Sequence, residues 1–312
     1  ASEPVFGTPA LSPEGNIYVG DTGGTLYCVS PEGEALWQWR SRMNLPTNES
    51  RFTASILVDP NGDVWIGGWD ENMYVVSPEG EDGPERKNRY MIGEYVKATG
   101  ATDGESTVFV PYASSMGRES ALAVDAYSLG GGRELWTARA PMDSDRWPVV
   151  ASPAVDIERQ KIYAAGVGYQ QGAIACFDMS DGETVWSKIV PHSIYSTPAI
   201  SPDGSVIVGD LGGRVCSYGA EDGGLNWEFQ TDAYVILGSA TVDANGTTLI
   251  GAGDGALYAI DSEGNERWRF QTETNISGSP VPRADGTVLV SSYDGYLYAI
   301  GTPEGVFDWV MR

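Results

Sequence analysis

Short apolar runs, many alternating with polar residues, follow one another along the whole chain, and the gaps between them are rich in Gly, Asn, Asp and Pro. Alternation at period two marks a strand with one buried face, and turn-forming gaps predict tight hairpins. The unit is clearest in Gly238-Ser239-Ala240-Thr241-Val242, Thr248-Leu249-Ile250-Gly251, Ala256-Leu257-Tyr258-Ala259-Ile260 and Glu266-Arg267-Trp268-Arg269-Phe270. Between these four strands lie Ala244-Asn245-Gly246, Gly253-Asp254-Gly255 and Glu263-Gly264-Asn265. Their Gly and Asn accept the positive φ that such turns require.

The unit repeats. Trp186, Trp227, Trp268 and Trp309 are spaced by 41 residues, Trp136 and Trp186 by 50, and Trp37 and Trp136 by 99, which is two units with one Trp missing. A fixed period of about 40–50 residues indicates a propeller or a solenoid. Third strands at Leu26-Tyr27-Cys28-Val29, Met73-Tyr74-Val75-Val76, Ala121-Leu122-Ala123-Val124, Ile174-Ala175-Cys176-Phe177, Arg214-Val215-Cys216-Ser217, Leu257-Tyr258-Ala259-Ile260 and Leu297-Tyr298-Ala299-Ile300 count seven units. The expected fold is all-β, a seven-bladed β-propeller of four-stranded antiparallel blades. It uses 1–312 as one domain, with blades at approximately 1–40, 51–90, 95–138, 147–188, 193–229, 233–270 and 275–312. Both end blades own all their strands, so closure is expected from blade 7 packing on blade 1 without strand exchange.

The segment Ala175-Cys176-Phe177-Asp178-Met179-Ser180-Asp181-Gly182-Glu183-Thr184-Val185-Trp186 resembles the tryptophan-docking repeat of the pyrroloquinoline quinone (PQQ)-like propellers. Asp261, Gly264 and Trp268 repeat the pattern, as do Gly223 with Trp227 and Gly33 with Trp37. The resemblance covers essentially the whole chain. It implies that each Trp wedges between blades, its ring buried and its N–H bonded. Blade 2 departs, since Gly80-Glu81-Asp82-Gly83-Pro84-Glu85 leads to no Trp. The family includes quinoprotein alcohol dehydrogenases, periplasmic outer-membrane assembly scaffolds and many exported proteins, and fold does not choose among them. The dehydrogenases typically have eight blades and an adjacent Cys pair beside the quinone. Here Cys28, Cys176 and Cys216 are isolated and align with Ala259 and Ala299 as small core residues, so no cofactor is expected, PQQ included.

Composition narrows the partners. Forty Gly and 18 Pro accompany 41% hydrophobic residues, too apolar for disorder and too turn-rich for a helical bundle. No 18-residue apolar run occurs, so no membrane insertion is expected. Nineteen basic against 43 acidic residues give a net charge of −24, which opposes nucleic acid and anionic membranes. Four Lys (Lys87, Lys97, Lys161, Lys188) amid so many carboxylates fit a salt-adapted surface or an ordinary acidic shell. Three Cys argue against a disulfide framework. The chain begins Ala1-Ser2-Glu3-Pro4 without Met, as a mature exported form or a trimmed chain would. A periplasmic or secreted monomer is expected.

In a four-stranded meander, second-to-third turns and interblade connections share one end of the ring. Connections are long after Trp37, from Gly80 to Gly100 and after Trp136, and the second-to-third loops 113–120 and 167–172 are extended, so elaboration is expected on that face, over blades 1 to 4. Arg40, Arg42, Arg51, Arg86, Lys87, Arg89, Arg118, Arg139, Arg146 and Arg214 are assigned there. They form either a receptor for an anionic group or loop glue with Glu49, Glu85, Asp143 and Asp145. Trp69, Trp147, Tyr195 and Tyr234 share the face, where aromatics beside Arg suit a flat ligand or merely pack the rim. The expected ligand-binding set is Arg42, Arg51, Trp69, Arg89, Arg146, Trp147, Tyr195 and Tyr234.

His192, the single histidine, stands three residues before Tyr195, and these are the weak candidates for proton transfer. One His and no Cys cluster supply no transition-metal site. Asp21, Asp70, Asp210, Asp254 and Asp294 recur between second and third strands and read as turn caps rather than Ca²⁺ ligands. The row Thr8, Ser55, Ser152, Thr197, Ser239 and Ser279 is assigned to the central axis, lining a wet channel, with no base to activate a nucleophile.

The leading expectation is a binding scaffold that uses the long-loop face of blades 1 to 4 to hold a protein partner, an anionic small molecule or a glycan. The alternative is a polysaccharide lyase or hydrolase acting on an acidic glycan, with His192 or Tyr195 as acid/base. A third class is a structural domain of a larger exported protein.

Overall fold

Seven antiparallel sheets follow one another along the chain, each built from consecutive strands. The computed structural model describes residues 3–5, 7–41, 51–80, 83–92, 98–114, 120–129, 132–142, 149–168, 171–283, 285–301 and 307–311. Blades 1 to 7 span 10–40, 57–91, 101–142, 149–190, 199–230, 241–271 and 281–311. The first and last sheets each come from their own end of the chain, so no strand is exchanged between them. In blade 4 the first strand is broken into Val149–Val150 and Ala154–Asp156, both paired to Lys161–Val167.

Burial explains the strand order. The middle strands are almost wholly buried, as in Val206–Gly209 and Ala256–Ile260, while the outer Glu266–Gln271 alternates between exposed and half-buried positions. Middle strands therefore carry continuous apolar runs and outer strands a period of two. Apolar clusters join blades 1 and 2 (Tyr18, Phe52, Tyr74), 3 and 4 (Phe109, Ala138, Ile162), and 4 and 5 (Tyr163, Trp186, Val208). Others join blades 5 and 6, and 6 and 7.

All seven third–fourth strand pairs break register at one equivalent place, and beside it Cys28, Ala126, Cys176, Ser217, Ala259 and Ala299 face Trp37, Trp136, Trp186, Trp227, Trp268 and Trp309. Trp136, Trp186 and Trp227 lie on Gly182, Gly223 and Gly264 of the following blade. Each of those glycines has positive φ, and a Cβ there would come within 2.5–2.8 Å of the Trp side chain, so turn and ring demand the same residue. The register corrects one sequence assignment. Ser217, not Cys216, faces the Trp of blade 5, because Gly213 fixes where that third strand starts. Cys216 is still buried and, like Cys28 and Cys176, a free thiol. Burial pushes the Cys176 and Cys216 thiols up to about 12 and about 11, which suits packing rather than reactivity.

Blade 2 resolves the missing tryptophan. Asn88 occupies the docking register, opposite Val75. The joint to blade 3 is filled by Trp65 stacked on Tyr90 (5.8 Å between centroids, 9° between planes) and by Tyr127, 4.2 Å from Tyr90. Elaboration is also less one-sided than expected. The third and fourth strands of blade 2, Asn72–Gly80 and Gly83–Met91, form a long hairpin at the end opposite the interblade connections. That hairpin takes Arg86 and Lys87 off the expected face, and Lys87 bonds Asp63 at 2.7 Å in the first-to-second turn. Arg139 sits in mid-strand, opposite Ala123. The extension in blade 3 is largely strand, with Thr107–Ser114 and Ser120–Ser128 paired as far as Ser114 and Ala121.

The same joint buries Asp125 in the third-strand slot that holds Tyr258 in blade 6. It accepts hydrogen bonds from Tyr112 (3.1 Å), Tyr127 (3.1 Å) and Thr137 (2.8 Å). Burial nonetheless pushes its pKa above the usual 3.8, outweighing the three donors. A carboxyl with a raised folded-state pKa costs nothing while protonated in both states, and destabilises progressively as pH climbs from 3.8 through the folded value. The melting temperature of Asp125→Asn minus that of the parent should therefore rise between pH 4 and pH 7. A difference that stays flat across that range would contradict the assignment.

Candidate functional site

The end of the ring that carries the interblade connections is organised by a recurrent lead-in to each first strand. Four of these read Arg51-Phe52-Thr53-Ala54-Ser55, Ser193-Ile194-Tyr195-Ser196-Thr197, Val235-Ile236-Leu237-Gly238-Ser239 and Asn275-Ile276-Ser277-Gly278-Ser279. The second residue of each is buried between blades. Its amide donates backward to the preceding blade: Phe52 to Asp21 O (3.2 Å), Ile194 to Gly166 O (3.4 Å), Ile236 to Asp210 O (3.0 Å) and Ile276 to Ala252 O (3.1 Å). The residue before it accepts from the second-to-third turn of its own blade, through Trp69 N to Arg51 O (3.1 Å), Leu211 N to Ser193 O (2.9 Å), Gly253 N to Val235 O (3.0 Å) and Tyr293 N to Asn275 O (3.0 Å). Each lead-in is thus stitched to two blades.

The hydroxyl row continues the stitching. Thr8 N donates to Ser55 Oγ (3.0 Å), Thr99 N to Ser152 Oγ (3.1 Å), Thr197 N to Ser239 Oγ (2.8 Å) and Ser239 N to Ser279 Oγ (3.1 Å). Thr99 is the member of the row that sequence reasoning missed, and it stands two residues before its first strand like the others. The hydroxyls of Ser55, Ser152, Ser239 and Ser279 therefore link consecutive blades.

Because the second lead-in residue turns inward, the third turns outward. Tyr195 is 42% exposed and Leu237 45%. Tyr234, at the start of the blade 6 lead-in, is 92% exposed, and Tyr293, on the second-to-third turn of blade 7, is 72% exposed. Four large side chains are thus held in water near this end of the ring, on or next to the lead-ins and a second-to-third turn. Leu237 and Tyr293 were not among the expected site residues. Aligning the second-to-third turns places Tyr293 level with Thr22, Trp69, Leu211 and Gly253, which is the signal that could have found it.

On blade 2 the structure brings Arg51 and Trp69 together. The guanidinium lies 5.3 Å from the indole centroid, and Trp69 Nε1 donates to Thr53 Oγ1 at 2.6 Å. Arg89 pairs in register with Tyr74, whose hydroxyl donates to Asp70. Burial raises the Tyr74 pKa, Asp70 adds to the rise, and Arg89 opposes it. Trp39 packs on Phe52 and Tyr74, as Phe229 packs on Tyr258 and Phe270 on Tyr298, so it belongs to a joint. Arg42, Arg146 and Trp147 lie outside the described residues, as do Glu49, Asp143 and Asp145.

His192 and Tyr195 are both exposed, with the buried Ser193 and Ile194 between them. The imidazole lies on Gly212, where a Cβ would come within 2.4 Å of Cδ2. No hydrogen bond joins His192 to Tyr195 among the described residues.

The recurrent aspartates cap turns, in two positions. Asp21 and Asp210 open the second-to-third turn, whereas Asp70, Asp254 and Asp294 stand two residues later. Asp21 Oδ1 takes the amides of Gly23 (2.9 Å) and Thr25 (3.0 Å), while Oδ2 takes the Tyr27 hydroxyl (2.8 Å). Asp254 and Asp294 hold Tyr258 (2.5 Å) and Tyr298 (2.8 Å) in the same manner. In blade 5, Asp210 holds Arg214 instead (2.7 Å to Nη2, 3.0 Å to Nε), and Arg214 also reaches Glu228 (3.0 Å). Arg214 is therefore loop glue. No His, Cys, Asp and Glu cluster suited to a metal occurs among the described residues.

The opposite end of the ring has a cavity of about 360 Å³ between the first-to-second turns of blades 4 to 6, lined by Val155, Ile157, Ile200, Pro202 and Val242. Arg159 closes one wall by bridging Asp156 (3.0 Å) and the Pro202 carbonyl (3.2 Å).

The fold has relatives. Residues 120–309 match a family described as outer membrane protein assembly factor BamB, and 44–70 match one described as two component regulator propeller. An outer membrane protein assembly factor BamB from Moranella endobia is 24% identical over 144 residues, 44% of this chain and 36% of that protein, so the match spans about a third of the relative's length. The crystal structure of BamB from Moraxella catarrhalis superposes with a TM-score of 0.73 at 17% identity, covering 98% of this chain and 85% of the other. Sqt1 from Saccharomyces cerevisiae superposes with a TM-score of 0.75 at 13% identity, covering 99% and 85%. At those identities the superpositions show the fold alone.

Proposed function

The chain belongs to the family of outer membrane protein assembly factor BamB, and from that premise we propose that it is a protein-binding scaffold that holds a component of an outer-membrane assembly machinery. The observation that carries this reading is the set Tyr195, Tyr234, Leu237 and Tyr293, exposed on or next to lead-ins that are hydrogen-bonded to two blades and on the turn bonded to one of them. Tyrosine anchors on pre-organised backbone bind at low conformational cost. The reading moves the centre of the face from blades 1 to 4 to blades 5 to 7, with the Arg51–Trp69 pair of blade 2 at its far side. A chain of net charge −24 favours a partner whose matching surface is basic around an apolar centre. An extracytoplasmic monomer that requires no cofactor fits the same reading. No helix long and apolar enough to cross a membrane occurs among the described residues.

A photo-crosslinking residue at Tyr234 should capture one defined partner in cells, while one at Leu11, on the opposite end of the ring, should not. Changing Tyr195, Tyr234, Leu237 and Tyr293 together to serine should lower affinity for that partner at least 100-fold and leave the melting temperature almost unchanged. Equal capture from both ends, or unaltered affinity in the fourfold variant, would refute the face.

A further inference from the structure

The joint between blades 2 and 3 is the one place where a docking register is known to hold something other than tryptophan, and the space is incompletely refilled. Asn88 stands in the register, and a partly open cavity of about 120 Å³ remains, lined by Asp63, Trp65, Val75, Lys87, Asn88, Tyr90 and Gly132. One wall is flat and aromatic, made by Trp65, 2% exposed, and the Tyr90 ring stacked on it. Val75 closes the apolar side.

The remaining edge is polar and incompletely used. Lys87 donates to Asp63 at 2.7 Å, and an ammonium has three protons to give. Asn88 Nδ2 donates to the Tyr90 hydroxyl at 2.7 Å, so the Tyr90 proton is directed elsewhere. Burial pushes the Tyr90 pKa up to about 12, which keeps that hydroxyl a neutral donor through the physiological range. A cavity of about 150 Å³ accommodates benzene. This smaller space is partly open and lined on one side by Asp63, Lys87 and Asn88, so it takes a single ring whose polar substituent meets that side and not a fused pair. We propose that this cavity binds a single-ring aromatic molecule carrying one hydroxyl group, with the ring against Trp65 and Tyr90 and the oxygen toward Lys87.

Phenol is the probe, and the full chain is the protein to use. Phenol should raise the melting temperature saturably and perturb Trp fluorescence, and benzene should bind at least tenfold more weakly. Lys87→Met should weaken phenol about tenfold, the worth of one hydrogen bond to a charged group. Val75→Phe should abolish saturable binding by filling the space. Asp63 is buried, so Lys87→Met is made together with Asp63→Asn to leave no stranded carboxylate, and this pair keeps the test decisive should the Val75 variant fail to fold. Absence of saturable phenol binding to the parent overturns the proposal. So does benzene binding as tightly as phenol, or phenol affinity unaltered by Lys87→Met with Asp63→Asn.

Discussion

Replacing Trp186 with alanine should lower the unfolding free energy by about 3–5 kcal/mol, the range for losing a buried indole. The ring is 8% exposed, sits 6.1 Å from Tyr163, and belongs to the cluster with Cys176, Val208 and Tyr218 that joins blades 4 and 5. It covers Gly223, and its N–H donates to Ala220 O at 2.8 Å. Truncation removes the packing, opens a void at a joint that two backbones hold rigid, and leaves a carbonyl without its donor. Leu225→Ala, at a position 55% exposed on the fourth strand of blade 5, should change stability by no more than about 0.5 kcal/mol. Denaturant titration of both variants measures the contrast, and a Trp186→Ala loss below about 1 kcal/mol would show that the wedge does not hold the joint.

The second large effect is expected at Arg214. Asp210 is 2% exposed and accepts the amides of Gly212 and Arg214 at 2.8 and 3.0 Å, besides two bonds from the Arg214 guanidinium. Removing the cation strands a buried carboxylate, so Arg214→Thr should cost about 3–5 kcal/mol. Blade 1 supplies the repair. Asp21, Thr25 and Tyr27 stand at the same spacing as Asp210, Arg214 and Cys216, and Tyr27 gives its hydroxyl to Asp21 at 2.8 Å. Arg214→Thr combined with Cys216→Tyr should therefore recover most of the loss, since the carboxylate regains a donor of the kind used in blades 1, 2, 6 and 7. Thermal denaturation of the parent, both single variants and the double variant gives the coupling, and no recovery in the double variant would show that the two turn arrangements are not interchangeable.

Blade number, strand order, tryptophan register and the capping aspartates were legible because each rests on local chemistry repeated at a fixed period. Where the period is interrupted, legibility failed for physical reasons. Pro84-Glu85-Arg86-Lys87-Asn88-Arg89 has no apolar alternation and reads as loop, yet its backbone pairs along the outside of blade 2, where side chains need no burial. Cys216 was misplaced because small residues were matched to small residues, when the positive-φ glycine before the strand sets the register. The place of Trp39 is not legible in the repeat because its partners, Phe52 and Tyr74, belong to the next blade and are remote in sequence. The candidate site was legible only in part. Tyr195 and Tyr234 were expected on this face, but that Leu237 faces water follows from the inward turn of Ile236, a relation between blades that spacing alone does not contain.

The two-sided bonding of each lead-in has a mechanical consequence. A pull applied at Tyr195 or Leu237 is transmitted at once to hydrogen bonds on two adjacent sheets and shared as hoop tension, so no single strand is peeled away. A partner held there, as proposed above, would load two sheets together and not one strand.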